Sequence, residues 1–208
     1  MIISFKLIGA VVLGICAVAM SPVMAQQRVP QPLRVIEYDG DMTMILASLT
    51  DAYGVTVGLE LDTQRYQRVS LSLRDATVTE AMKAIVQSSK KYQWQQTGRF
   101  VDVWPLAGSN PLLETRISSF NVKDVSSSQA FDLLFNLPEV QASMTSLNLK
   151  RRVEDVSAGK LSSSRFSVNL EGVSLREALN KVAQESPVEI WIFRNYPNGF
   201  FSISSLEK

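Results

Sequence analysis

Serine and lysine occur twice in the spacing that some acyl-transfer enzymes use, in which the lysine helps to activate the serine. Ser88 and Lys91 form the first pair, and Ser157 and Lys160 form the second. The first pair lies at the end of a predicted helix and the second lies in a predicted loop. Neither context holds a nucleophile against its base, and the spacing alone is a weak signal. We therefore interpret both pairs as structural.

Two pairs of neighbouring carboxylates could serve as general acid and base. Asp39 and Asp41 precede a stripe of apolar residues with helical spacing, so we expect Asp41 to cap that helix and Asp39 to belong to the turn. Glu60 and Asp62 follow a strand-like run, and we expect both side chains to lie in water. An enzyme that uses paired carboxylates, as glycosidases do, would need the first pair, which only proximity supports.

Histidine is absent from all 208 residues, which removes the most common general base and zinc ligand. The single cysteine is Cys16, and it belongs to a predicted leader. The sequence therefore predicts no catalytic residue, no metal site and no cofactor, and we expect a protein that is not an enzyme.

Residues 1–25 have the composition of a secretory signal peptide. Lys6 is their only charged residue, an apolar stretch follows it, and Ala25 ends the segment. Because the stretch is shorter than the roughly 20 residues of a spanning helix, we expect export, cleavage after Ala25 and no integral membrane span in the mature chain. Without Lys6, the 21 basic residues become 20 against 20 acidic ones, which argues against a nucleic-acid partner.

Two segments of the chain have similar sequences. "LSLRDATVTEAM" covers 71–82 and "VNLEGVSLREAL" covers 168–179. The correspondence continues without a gap to Trp94 and Trp191, which indicates an internal duplication.

Each copy combines three local signals. Alternating apolar residues predict a half-buried strand, a capping box predicts a helix, and two strand-like runs around a turn predict a hairpin. A weaker copy of strand, cap and helix precedes each strong one. The predicted capping residues are Asp41, Thr77 with Glu80, Ser126 with Gln129, and Ser174 with Glu177.

These signals predict an α+β fold of two tandem β-α-β-β-α-β-β domains, each with small sheets packed on two helices. The first domain covers 33–104 and the second covers 114–205, with a proline-containing linker at 105–113. An insertion at 137–164 separates the halves of the second domain. We expect its first part to extend a helix and its end to be a flexible loop.

The segment "VSLSLRDATVTEAMKAIVQSSKKYQWQQTGRFVDVWP" resembles the short amino-terminal (STN-like) domain shared by secretins and TonB-dependent signalling receptors. Val78, Ala81 and Met82 match that family's helix pattern, and the run "VDVWP" matches its last strand. The upstream "YDGDMTMILASLTDAYGVTVGLE" is similar to the first half of that domain. The resemblance covers the second domain more loosely because of the insertion.

The resemblance implies a periplasmic domain that docks on secretion components or on an anti-sigma regulator and performs no chemistry. We expect no secretin ring or receptor barrel to follow these domains. The leading hypothesis is a non-enzymatic envelope module that binds a protein partner, as an accessory or adaptor of an outer-membrane secretion or receptor system. The alternative is a small-ligand sensor or carrier that binds its ligand between the two domains.

Aromatic residues are the candidates for contact with a partner, since tryptophan and tyrosine dominate binding hot spots. We assign Trp104, Tyr92 and Tyr196 as candidate contact residues. Trp94 and Trp191 hold equivalent positions in the two copies, which favours a shared role in packing the core.

Overall fold

The computed structural model describes residues 36–62, 68–152 and 164–207, and the predicted leader lies outside them. The first repeat has the predicted order β-α-β-β-α-β-β. Its elements are β1 (Ile36–Asp41), α1 (Met42–Tyr53), β2 (Thr56–Asp62), β3 (Arg68–Leu73), α2 (Val78–Ser89), β4 (Tyr92–Thr97) and β5 (Phe100–Pro105).

A short 3-10 helix (Pro111–Glu114) leads into the second repeat. The elements that follow are β6 (Arg116–Val125), α3 (Ser127–Phe135), α4 (Pro138–Ser146), β7 (Lys150–Arg151), β8 (Phe166–Ser174), α5 (Leu175–Glu185), β9 (Val188–Asn195) and β10 (Phe200–Glu207). The insertion thus contributes a separate helix, α4, and the strand β7, while residues 153–163 lie outside the described ranges. Helices and strands together confirm the α+β class.

The predicted helix caps are all present. Asp41 accepts a hydrogen bond from the amide of Thr43 at 2.7 Å, and α1 ends at Gly54 in the left-handed conformation. The capping boxes of α2, α3 and α5 are complete in both directions. Each cap satisfies amide groups that a helix start leaves without partners, so these short sequence signals set the helix starts.

The two repeats share one six-stranded sheet with the strand order β4-β5-β2-β9-β10-β7. In each repeat an antiparallel hairpin gains one parallel strand, so β2 pairs with β5 just as β7 pairs with β10. β2 also pairs in parallel with β9, which joins the repeats. Two smaller antiparallel sheets, β1-β3 and β6-β8, complete the fold. The sequence repeat indicated small sheets but not their continuity from one repeat to the next.

The two faces of the shared sheet carry separate cores. Val57 of β2 and Ile192 of β9 belong to the core that contains α1 and α2. Trp191 and Phe193, the alternate residues of β9, belong to the core that contains α3 and α5. β9 is therefore buried on both faces, and its run from Ile190 to Phe193 is entirely apolar.

Close packing across the β2–β9 pair depends on a glycine. A Cβ atom on Gly58 would lie 2.7 Å from the indole ring of Trp191, a separation that a real side chain does not tolerate. Trp191 is fully buried in the second core, and Trp94 packs against the first. Each tryptophan therefore packs with the core of its own repeat.

The linker residues are part of the packed structure. Asn110 is buried, and Leu112 and Leu113 are completely enclosed in the second core.

Among the helices of the described ranges, none has both the length and the apolar character needed to cross a bilayer.

Candidate functional site

A buried cluster of charges lies where the two repeats meet. Arg176, at the start of α5 in the second repeat, binds Glu60 of β2 and Asp102 of β5, both in the first repeat. Its Nη1 donates to Asp102 Oδ1 at 2.9 Å, and its Nη2 donates to Glu60 Oε2 and to Ser109 Oγ. One guanidinium therefore forms ion pairs with two carboxylates that are largely buried.

Further hydrogen bonds fix the positions of both carboxylates. The amide of Asn110 in the linker donates to Glu60 Oε1 at 2.7 Å. Asn180 of α5 donates to Asp102 Oδ2 at 3.2 Å and accepts from the indole of Trp191 at 2.9 Å. The cluster thus ties together β2, β5, the linker, α5 and β9.

Burial controls the protonation of this cluster. Loss of solvation raises the pKa of Glu60 above its ordinary value, while the charge of Arg176 acts in the opposite direction. Burial likewise raises the pKa of Asp102, and the charge of Arg176 again acts in the opposite direction. Perturbed carboxylates of this kind occur in active sites but also in structural ion-pair networks. Here both are engaged by the same arginine.

A cleft of about 680 Å³ lies beside the cluster, between the hairpin β4-β5 and α5. Trp104 and Asp102 of β5 line the side of the hairpin, and Arg176 and Lys181 line the side of α5. The guanidinium carbon of Arg176 lies 5.8 Å from the centre of the Trp104 ring. The remaining lining residues include the acids Glu114 and Glu177, the base Arg116, and the amides Gln95, Asn180 and Gln184. Acidic and basic groups are balanced, so the cleft suits a polar or zwitterionic group better than a strongly charged one.

The two edges of the shared sheet differ strongly. At one edge, β7 has only two residues, Lys150 and Arg151, both basic. At the other edge, β4 has six residues, "YQWQQT", with no charge and no proline. Short length and charge are the usual protection of a sheet edge. Within the described part of the chain, β4 lacks this protection and has a neighbouring strand on one side only.

The predicted contact residues lie in three different environments. Trp104 is half-buried and lines the cleft. Tyr196 is half-buried at the β9-β10 turn, away from the cleft residues, and its hydroxyl lies 3.4 Å from Ser202 Oγ. Tyr92 is 1% exposed and its hydroxyl accepts a hydrogen bond from the amide of Asp62. Tyr92 is therefore a core residue that offers no surface to a partner, which corrects its assignment as a contact.

The other expectations for polar residues have clear outcomes. Asp41 caps α1, and Asp39 binds the exposed Arg68 across β1 and β3, so each carboxylate has a structural partner of its own. Ser88 Oγ bonds to the backbone of Ser70 in both directions. The expectation that Glu60 is in water was wrong, because only 3% of the residue is exposed. The pair Ser157 and Lys160 lies outside the described ranges.

The sequence reasoning missed Arg176, Glu60 and Asp102 as a unit. Asp102 carried a usable signal, because it is the one charge in the otherwise apolar run "FVDVW" of a strand. Arg176 carried a weaker one, because the repeat places Thr79 at the corresponding point of α2. Where one copy of a repeat has a charged residue and the other has a neutral one, the two positions are expected to contact different neighbours.

Among the described residues, no group of three histidine, cysteine, aspartate or glutamate side chains is placed to hold a metal ion. Comparison of the chain with protein-family models, with curated proteins and with solved structures finds no match. Its function therefore has to be argued from its own residues and their geometry.

Proposed function

We propose that this protein is a non-enzymatic interaction module of the periplasm, an accessory or adaptor of an outer-membrane secretion or receptor system. The observation that carries the proposal is the uncharged β4 edge, with the polar cleft next to it. Strand addition to an exposed edge is a common way for a domain to bind an extended segment of another protein. The predicted leader and the resemblance to docking domains of envelope machines support the same conclusion.

The buried charges support a structural role for the interface between the repeats rather than a turnover site. Both carboxylates of the cluster are bonded to Arg176, and each has a further partner in Asn110 or Asn180. A rigid junction of this kind holds β4, β5 and α5 in fixed relative positions, as a docking surface requires.

The proposal is tested by capture of the tagged, processed protein from its own cell envelope after cross-linking, followed by mass spectrometry. We expect enrichment of a secretin, a receptor or another component of such a machine. The matched control is a Gln95→Lys/Thr97→Lys variant, which protects the exposed edge with charge and should capture much less. Recovery of the protein alone, or equal recovery with the control, counts against docking at this edge.

The cleft itself favours a second candidate function, which is binding of a small ligand between the repeats. Both repeats contribute to its walls, and balanced charges with a half-buried tryptophan suit a zwitterion such as an amino acid or a short peptide. A thermal-shift screen with free amino acids and dipeptides tests this function. A stabilisation that disappears in Trp104→Ala but persists in Trp94→Phe would support it, and no shift with any of them would exclude this ligand class.

A further inference from the structure

The pairing of β2 with β9 at the junction between the repeats indicates how a strand could pair with the exposed edge of β4. β9 is the first strand of the second hairpin, and its outer side binds β2 in parallel. β4 is the first strand of the first hairpin, and its outer side carries no strand in the described structure. The helix before each hairpin strengthens the analogy, because α5 contacts both β9 and β2 while α2 contacts β4. The space beside β4 and α2 therefore corresponds to the place that β2 occupies beside β9 and α5.

We propose that an extended segment of a second envelope protein adds to β4 as a parallel strand, with a small residue opposite Trp94 and a carboxylate two residues later. The inference rests on the proposed function and specifies the chemistry of the partner. It follows from the residues that β2 uses at the equivalent place.

The small residue follows from the tryptophan. Gly58 lies directly opposite Trp191 in the β2–β9 register, and a Cβ atom there would overlap the indole ring. Trp94 is the counterpart of Trp191 in the repeat and packs against its own helix layer. A strand beside β4 meets the same obstacle, so glycine is required at the position opposite Trp94.

The carboxylate follows from the cations on the same side of the sheet. Glu60, two residues after Gly58, is bound by Arg176 of α5. In α2 the repeat places Thr79 at the position of Arg176, and the exposed Lys83 follows one turn later at the position of Asn180. A carboxylate opposite Gln96 therefore lies on the α2 side of the added strand, where Lys83 is the exposed cation.

The other face of β4 indicates that binding is reversible. Ile190 and Ile192 of β9 are buried in the first core, beneath α1. The repeat places Gln93 and Gln95 at the corresponding positions of β4. Glutamine tolerates water when the edge is empty and can form hydrogen bonds when a strand is present, as transient interfaces require.

The described strands of the chain itself do not supply this segment. β2 is already paired on both edges. β7 has two basic residues, which would face Lys83 with the same sign of charge. A partner with an acidic strand is the better complement.

The test uses a fluorescent peptide with the sequence of residues 55–62, "VTVGLELD", and the full mature chain. We expect saturable binding in fluorescence anisotropy, and loss of binding when the peptide carries Gly58→Val. On the protein, Lys83→Glu should weaken binding at least about threefold, in the range expected for a reversed surface charge. Lys123→Glu on β6 exchanges another exposed lysine far along the chain and should leave binding unchanged.

Disulfide trapping fixes the direction of the added strand. The mature chain as predicted contains no cysteine, so Thr97→Cys introduces a single thiol. A peptide with Leu61→Cys should cross-link to it, because Leu61 pairs with Arg194, the counterpart of Thr97. A peptide with Val55→Cys should not, whereas an antiparallel strand would reverse this preference.

Three results would overturn the inference: no binding of the peptide, the reversed cross-linking preference, or equal affinities for Lys83→Glu and Lys123→Glu. Cross-linking of Thr97→Cys between two copies of the chain would overturn it as well, because the occupant would be a second copy. A secretion or receptor component captured equally by the wild type and Lys83→Glu would leave the proposed function intact and reject only this partner chemistry.

Discussion

Arg176 donates a hydrogen bond to Glu60 across 116 residues of sequence, and this pair joins the first turn of a helix in one repeat to the central strand of the other. The side chains are 11% and 4% exposed. The contact is therefore a buried part of the junction that positions both the cleft and the β4 edge.

Substitution of Arg176 should destabilise the folded protein strongly. Arg176→Met leaves Glu60 and Asp102 buried without their cation, and we expect the free energy of unfolding to fall by about 3–5 kcal/mol. Urea unfolding followed by circular dichroism measures this change. Arg116→Met is the matched control, because Arg116 is an exposed arginine at the same cleft and should cost about 0.5 kcal/mol or less. Equal losses in the two variants would contradict a structural role for the cluster.

The pH dependence of stability should reveal the raised pKa values of Glu60 and Asp102. A carboxyl whose pKa is raised in the folded state stabilises the fold fully below its ordinary pKa, here 4.5 and 3.8, and loses this contribution as the pH rises through the raised value. In Glu60→Gln/Asp102→Asn these two titrations are absent. The free energy of unfolding of the variant relative to the wild type should therefore increase from pH 4 to pH 7. A difference that stays constant over this range would be the opposing result.

Contact between Gly58 and Trp191 should appear as strong coupling. Gly58→Ala places a methyl group against the indole, and we expect a loss of about 1–3 kcal/mol from overpacking. In a Trp191→Leu background the same substitution should cost at least about 0.5 kcal/mol less, which a double-mutant cycle measures by urea unfolding. Additive losses would show that the ring does not impose the glycine.

The capping box of α2 offers a test with a matched neighbour. Thr77→Ala removes the hydroxyl that accepts from the amide of Glu80, and we expect a loss of about 1 kcal/mol. Thr79→Ala makes the same chemical change two residues later, at an exposed position inside the helix. Because alanine is the better helix former there, thermal unfolding should show little change or a small gain for this control.

The sequence predicted the local features well because local residues determine them. A hydroxyl followed by an acid or amide three residues later sets a helix start at Thr77, Ser126 and Ser174, whatever the rest of the chain does. The hairpins follow from short apolar runs around a turn. The ends of these strands are not determined locally, since pairing with a neighbour decides where a strand ends.

Features that depend on distant partners escaped prediction. Nothing beside Glu60 in sequence distinguishes a buried carboxylate from one in water, because its partner is Arg176. The shared sheet was also missed, although the unbroken apolar run from Ile190 to Phe193 is typical of a strand that is buried on both faces. The prediction that Tyr92 contacts a partner was wrong, because the sequence pattern of an aromatic residue at the start of a hairpin is the same whether its side chain faces the core or a partner.

The way in which β2 bridges the repeats makes the protein an extendable array with a direction. Each unit offers its β2-type strand to the hairpin of the unit that follows it in the chain, and the two-residue β7 offers too little strand to continue the series. A third unit would therefore have to be fused ahead of the first one, with Gln93 and Gln95 replaced by isoleucine. The shared sheet can therefore be extended at one edge only, by three strands for each added unit.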